Sequence, residues 1–349
     1  MKRLLCIILC IVMCLPLAAC SNKEEEPEKD DFVPYVFPIE EYYVNPLTGQ
    51  ISKDSFASEN RPVAVMINNL KAALPQYGIN SADLLYEVVA EGGITRMIAF
   101  FSDYRNVPQI GSVRSARPYY LELAASHNAV LFHYGTSTQA KSLISQKGLQ
   151  TVDGMVYSRT AFFFDAERDK TYAKEHCSFT GADFITAGLE RKGYSLSEKT
   201  DPVFNFVSVL EPPLNITYGK ANTITWDFSN YGKGMKMVYN PTTLEYEKYE
   251  YGSEQIDLND NSTLSVDNVF ILFDEIYTID NVGHMGVAFD GGTGYYFTKG
   301  TYVPITWDKD GFNSKIVYYD ADGNELKVNV GQTYVAIVST AKEKTLVIE

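Results

Sequence analysis

Cysteine is nearly absent from the part of this 349-residue chain that can form a globular body: Cys6, Cys10, Cys14 and Cys20 fall in the first twenty residues, and Cys177 stands alone. A single thiol after Cys20 excludes an intramolecular disulfide, a CxxC redox pair and a cysteine-based zinc site, so stability has to come from the core. Histidine is scarce as well. His127, His133, His176 and His284 are scattered and no HExxH word occurs. Asp320-Ala321-Asp322-Gly323-Asn324-Glu325 places its glycine too early for a calcium loop and reads as a hairpin turn. No metal site or cofactor motif emerges. Positive charge is also in deficit, with 30 Lys+Arg against 44 Asp+Glu and a formal charge of −14. Such a field repels nucleic acid and anionic surfaces alike, so any anion the chain binds has to meet a local cluster of arginine.

What is present begins with an address. Lys2 and Arg3 precede an apolar run from Leu4 to Leu17, followed by Leu17-Ala18-Ala19-Cys20. Charge, hydrophobe and small residues in that order describe a secretory signal, and the run is too short to span a bilayer. Leu-Ala-Ala-Cys resembles the lipobox of bacterial lipoproteins, in which the cysteine is acylated and becomes the new N-terminus. The resemblance implies lipid on Cys20 and a location on the outer face of the cytoplasmic membrane. Ser21 to Asp31, SNKEEEPEKDD, offers no apolar side chain to bury and reads as a solvated tether. With Lys2 and Arg3 removed, 28 basic residues face 44 acidic ones, a formal charge of −16.

The roughly 310 residues beyond the tether exceed what one core usually serves. Composition also shifts midway, from apolar runs with capped helices to short alternating segments rich in Tyr, Val, Thr, Asn and Gly. The expected organisation is a signal over 1–19, lipidated cysteine and acidic tether over 20–40, an α/β domain over 41–198 and a β-rich domain over 199–349. The fold class is α+β: an N-terminal mixed α/β sandwich domain followed by a mainly antiparallel β domain.

In the first domain, Arg61 to Asn69 reads as a buried strand. Leu84 to Ala90 and Thr95 to Ser102 read as two more, joined through Glu91-Gly92-Gly93 in a hairpin. Pro118 opens a helix, Ala129 to Tyr134 is a strand, and Thr138 to Lys147 is a helix closed by Gly148. A last helix runs from Thr180 or Gly181 to Lys192. In the second domain, strands are expected over Asn215 to Tyr218, Thr223 to Phe228, Met235 to Tyr239, Glu245 to Tyr251, Val269 to Ile279, Gly294 to Lys299, Thr301 to Trp307 and Thr333 to Ser339, among others.

The densest polar signal lies in the first domain. Glu91 to Arg96, Gly111 to Pro118 and His133 to Ser137 gather Glu91, Arg96, Arg114, Arg117, His133 and Ser137. Arg114 and Arg117 sit three apart at a helix entry, where guanidinium groups, free amides and the positive end of the dipole suit a phosphate or carboxylate. Asn68, closing its strand, and His176 complete the candidate ligand-binding set. The same arginines could instead pair with Glu87, Glu91 and Asp83 and tie the sheet to its helices. His133 fits a core histidine or a proton carrier. Ser137 fits a helix N-cap, since GTSTQ lacks the second glycine of a nucleophile elbow. Cys177 fits a buried side chain. No catalytic residue is assigned. Tyr246, Tyr249, Tyr251, Tyr295 and Tyr296 suit either a core or a sheet face that stacks on sugars or on protein.

NRPVAVMINN, PQYGINSADLLYEVVAEGGITR, GSVRSARPYY and GYYFTKG with its following ITW closely resemble the YerB-like lipoprotein family. The resemblance covers about Asn45 to the C-terminus. It implies two globular domains outside the membrane and no particular reaction. Where the family usually shows Pro-His-Asn, this chain has Glu175-His176-Cys177, keeping only the histidine. The expected function is a non-catalytic envelope accessory. It would bind an anionic wall or glycolipid ligand through the arginines, recruit an envelope protein through its β surface, and bind no nucleic acid. The alternative is an envelope hydrolase or transferase using the arginines with His133, His176 or Glu91.

Overall fold

The computed structural model describes residues 42–209, 211–214 and 216–349. The expected signal over 1–19 and the expected lipidated cysteine and tether over 20–40 lie outside the described residues. In the N-terminal region the continuous apolar runs form β1 (Val63–Asn68), β2 (Leu84–Val89) and β3 (Thr95–Phe101), each buried along its whole length. Strands covered on both faces have that composition. β2 and β3 form the expected hairpin, with Gly92 and Gly93 at φ 67° and 78°. Glycine enters that left-handed region without a steric penalty.

Helix α1 (Pro118–Ser126) starts on its proline and leads into β4 (Val130–His133). Helix α2 (Thr138–Lys147) is bounded as its caps dictate: the Ala140 amide donates to Ser137 Oγ at 3.2 Å, and Gly148 turns left-handed at φ 63°. β5 (Thr151–Asp153), the single turn α3 (Gly154–Tyr157) and α4 (Ala182–Lys192) follow, with shorter strands such as Phe163–Phe164 and Ser178–Thr180 between α3 and α4.

The C-terminal region supplies β6 (Thr223–Trp226), β7 (Met235–Asn240), β8 (Glu245–Glu250), β9 (Asn268–Asp274), β10 (Gly292–Thr298), β11 (Thr301–Asp308) and β12 (Thr333–Ser339). Strands β6 to β8 pair antiparallel in a six-stranded sheet, and β9 to β11 pair antiparallel in a larger one. The fold is α+β, a mixed N-terminal region followed by a mainly antiparallel one. The run expected from Val269 to Ile279 is broken after Asp274, whose carboxylate accepts the amides of Glu275 and Phe289. The strand expected over Asn215 to Tyr218 starts outside the described residues at Asn215, and the strand found next to it is Gly219–Lys220. Tyr246 and Tyr296 are fully buried and belong to the core, not to a sugar-binding face.

β12 lies parallel between β9 and β2, with Ala336 beside both Ile271 and Glu87. The order β11-β10-β9-β12-β2-β3-β1-β4-β5 runs within an eleven-stranded sheet that draws strands from both sides of the boundary expected at 198/199. Glu41–Glu349 is one compact unit. Buried Val88, Phe100, Ile271 and Ile337 belong to its single continuous core; each such side chain contributes about 1.5–3 kcal/mol. At the other end of the sheet β1, β4 and β5 run parallel, and the crevice outside the carboxyl ends of parallel strands is where ligands are commonly held.

Candidate functional site

A cleft of about 960 Å³ opens at those carboxyl ends. β4 ends on His133, and Tyr134 to Thr136 line the cleft before Ser137 caps α2. β5 ends on Asp153, whose carboxylate accepts the amides of Gly135 at 2.8 Å and Met155 at 2.9 Å. That one side chain ties the β4–α2 turn to the start of α3. Gly154 lets the two pack, since a Cβ there would lie 2.2 Å from the Tyr134 ring.

Arg114 enters from the segment after Gly111. Its amide donates to Met66 O and its carbonyl accepts from the Tyr134 amide, both at 3.0 Å, so the loop is sewn to β1 and β4. Lys141 from α2, Lys174 and Lys192 from the end of α4 line the same walls, with Asp153 and Glu175 as the acids. Four cationic side chains against two carboxylates leave a surplus of two positive charges. Arg114 meets Glu175 at 3.4 Å, but Glu175 is half exposed and solvent weakens the pair.

The three arginines do not meet in one hollow. Arg96 and Arg117 are buried and share Glu91: Arg96 Nη2 lies 3.2 Å from Oε2, Arg117 Nη2 donates to Oε2 at 3.0 Å, and Arg117 Nε bonds Oε1. Burial raises the Glu91 carboxyl, but the hydrogen bond from Arg117 and both guanidinium charges outweigh it and hold Glu91 below its usual range. Arg96 Nη1 also donates to Ser115 O at 3.0 Å and Arg117 Nη1 to Ala116 O at 2.9 Å. The triad therefore braces from beneath the segment that carries Arg114. Burial brings these two arginines to an acid, because a guanidinium removed from water needs a fork-shaped partner.

The histidines take opposite roles. His133 Nδ1 lies 2.9 Å from the carbonyl of Gly135, so that nitrogen carries the proton and Nε2 keeps its lone pair. Nε2 is buried without a partner among the described residues. Burial lowers the His133 pKa, partly offset by Asp153 and the Gly135 carbonyl, so the ring is neutral near pH 7. In His176, Nδ1 accepts from the Asn68 amide nitrogen at 2.9 Å, an orientation fixed by Asn68 Oδ1 accepting from the Leu70 amide. Asn68 and His176 lock each other outside the cleft lining. Ser137 does its capping and Cys177 is buried, its thiol pushed up by burial.

Of the residues expected from the sequence, Arg114 and His133 line the cleft. Glu91, Arg96 and Arg117 stand behind it. Lys141, Lys174, Lys192 and Asp153 went unrecognised, and of these only Asp153 left a local sign, an Asp-Gly pair at a helix start.

The N-terminal-domain model of a family of proteins of unknown function, DUF3048, matches residues 47–195, and the same family's C-terminal-domain model matches residues 216–335. YerB of Bacillus subtilis (strain 168), a protein named as a candidate lipoprotein, is 30% identical over 303 residues, which covers 84% of this chain and 85% of that one. The crystal structure of YerB from Bacillus subtilis matches with a TM-score of 0.77 at 27% identity, over 88% of this chain and 99% of that chain. Sequence words, domain order and fold agree, and the chain belongs to the YerB-like family of two-domain proteins, DUF3048.

Proposed function

We propose that this chain is a lipid-anchored protein on the outer face of the cytoplasmic membrane, a non-catalytic accessory that holds an anionic group of a wall or glycolipid precursor. The address rests on Leu17-Ala18-Ala19-Cys20 and on the name of its relative. The binding role rests on one observation: in a chain of net charge −14, a single cleft collects Arg114, Lys141, Lys174 and Lys192 around two carboxylates. Like charge concentrated in a concave surface focuses the field on an incoming anion. The β-rich region would recruit an envelope protein partner.

Calorimetric titration of soluble phosphorylated wall fragments tests the reading. Arg114→Ala with Lys174→Ala should weaken binding by at least roughly tenfold, as loss of charge-assisted bonds predicts. Unchanged binding, or none by the wild type, rejects the cleft.

A second reading follows from His133, whose buried Nε2, without a partner among the described residues, keeps the lone pair a general base needs. It makes the chain an envelope hydrolase acting on a phosphodiester or amide bond. His133→Gln separates the two: a base is abolished with ligand affinity retained, whereas an accessory shows no turnover in either form.

A further inference from the structure

The cleft has a second chemistry beside its charge. Met155 and Val156 on α3 are each 69% exposed, and Phe164 across the cleft is 48% exposed, yet all three line the same walls as the cations. Large apolar side chains left in water beside a cationic floor mark a surface that something covers. Met155 and Val156 face solvent because α3 is a single turn whose buried residue is Gly154, packed on Tyr134. Phe164 is the exposed residue of the two-residue strand Phe163–Phe164, while the Phe163 ring packs at a tilt against Phe179 and Phe184. None of the three belongs to the hydrophobic core or packs against it.

We propose that the occupant is a membrane lipid with a phosphate headgroup. The phosphate sits among Arg114, Lys141, Lys174 and Lys192, and the glycerol and first methylenes of the tail lie on Met155, Val156 and Phe164. This rests on the anion-binding reading and names its ligand. A free sugar phosphate would satisfy the cations and leave the rim wet; an amphipathic phosphate satisfies both. The net charge of −14 does not forbid it, because at physiological salt charges beyond roughly 8 Å are screened and the local surplus governs contact. Reach is sufficient too. The twenty or so residues between Cys20 and Tyr42 span up to roughly 70 Å at full stretch, more than the roughly 50 Å diameter of a body this size. The cleft can therefore meet the surface that the anchor would occupy.

The test uses residues 41–349, one compact unit with its own core, so that no acyl chain confuses the result. Sedimentation is measured with phosphatidylcholine vesicles, with and without phosphatidylglycerol, alongside calorimetry with soluble glycerol phosphate. Three proteins are compared: wild type, the charge variant Lys141→Glu/Lys174→Glu, and the rim variant Met155→Ser/Val156→Ser/Phe164→Ser. Equal melting temperatures confirm that the exposed substitutions leave the fold intact. The wild type should bind vesicles only when they contain phosphatidylglycerol. The charge variant should lose at least roughly thirtyfold in partition. The rim variant should lose at least roughly tenfold on vesicles and nothing on glycerol phosphate. If glycerol phosphate binds but vesicles do not, or if the rim variant partitions like wild type, the lipid assignment is wrong while the anion site stands. If the wild type binds neither, both are wrong.

Discussion

Lys233 of the C-terminal region reaches across to Glu87 of the N-terminal region at 2.8 Å, and neither side chain is open to solvent. Lys248 and Glu250, from β8, close a quartet: Lys233–Glu250 at 2.8 Å, Lys248–Glu250 at 3.0 Å and Lys248–Glu87 at 3.2 Å. Two hydroxyls donate to the Glu87 carboxylate, that of Tyr334 in β12 at 2.7 Å and that of Thr95 at 2.5 Å. Two lysines and two glutamates thus cancel inside the protein, where the six-stranded sheet meets β2 and β3. Removing one member leaves an uncompensated buried charge, which costs about 3–5 kcal/mol.

Glu87→Gln should therefore destabilise by about that amount, whereas a double change that removes opposite charges together should cost less than the sum of the singles. Burial raises Glu87, but Lys233 and Lys248 hold it well below its ordinary value. A depressed carboxylate stabilises above its unfolded pKa and loses that contribution as pH falls. Burial lowers Lys233, but Glu250 and Glu87 raise it further, and a raised lysine stabilises below its unfolded pKa and loses that as pH climbs. The contribution of Glu87 and Lys233 is then flat between about pH 4.3 and 10.4. Denaturant melts across pH check both edges.

Glu91 and Arg114 should separate support from binding. Glu91→Gln removes the one carboxylate that pairs with buried Arg96 and Arg117 among the described residues, and is expected to cost about 3–5 kcal/mol. Arg114→Ala breaks only a half-exposed pair with Glu175 and should cost less than about 1 kcal/mol while weakening ligand. Paired unfolding and binding curves test the division.

His127 should make the fold acid-sensitive. It is buried between Tyr86 and Phe100, with Nε2 2.9 Å from the Tyr86 hydroxyl. Burial, then the charges of Lys315 and Lys309, push its pKa down to about 3 from 6.5. Protonation favours the unfolded chain, so the stability present above pH 6.5 is lost as pH falls toward 3. The slope reaches about 1.4 kcal/mol per pH unit. His127→Gln should flatten that part of the stability–pH curve.

Gly154 should be intolerant of even one carbon. Its backbone is not left-handed, so the constraint is space alone: an added Cβ would fall 2.2 Å from Tyr134 Cδ2. Gly154→Ala should cost about 1–3 kcal/mol and tilt Tyr134 into the cleft, weakening binding. Gly148→Ala, with open space around it but φ 63°, should lower stability without touching the ligand.

Local chemistry was legible wherever local chemistry decides. Ser137 and Gly148 bound α2, Pro118 opens α1, and Gly92-Gly93 turn the hairpin, all as read from the residues themselves. The placement of β12 beside β2 was not, because that parallel pairing joins Thr333 to Leu84 across most of the chain and leaves no periodic trace. The cleft was half visible. Arg114 and His133 stood in conspicuous polar words, while Lys141, Lys174 and Lys192 come from a helix, a turn and a helix end that only the fold brings together. Arg96 and Arg117 looked like ligands because sequence shows their charge and hides their burial.

The most direct measurement is a titration of the isotopically methylated lysines of residues 41–349 with glycerol phosphate, followed by NMR. The account predicts that Lys141, Lys174 and Lys192, which line the cleft, shift together along one saturable curve, while Lys170 and Lys342, paired elsewhere with Glu167 and Asn230, stay still. Small unsaturable shifts spread over all surface lysines, or none at the three in the cleft, would contradict it.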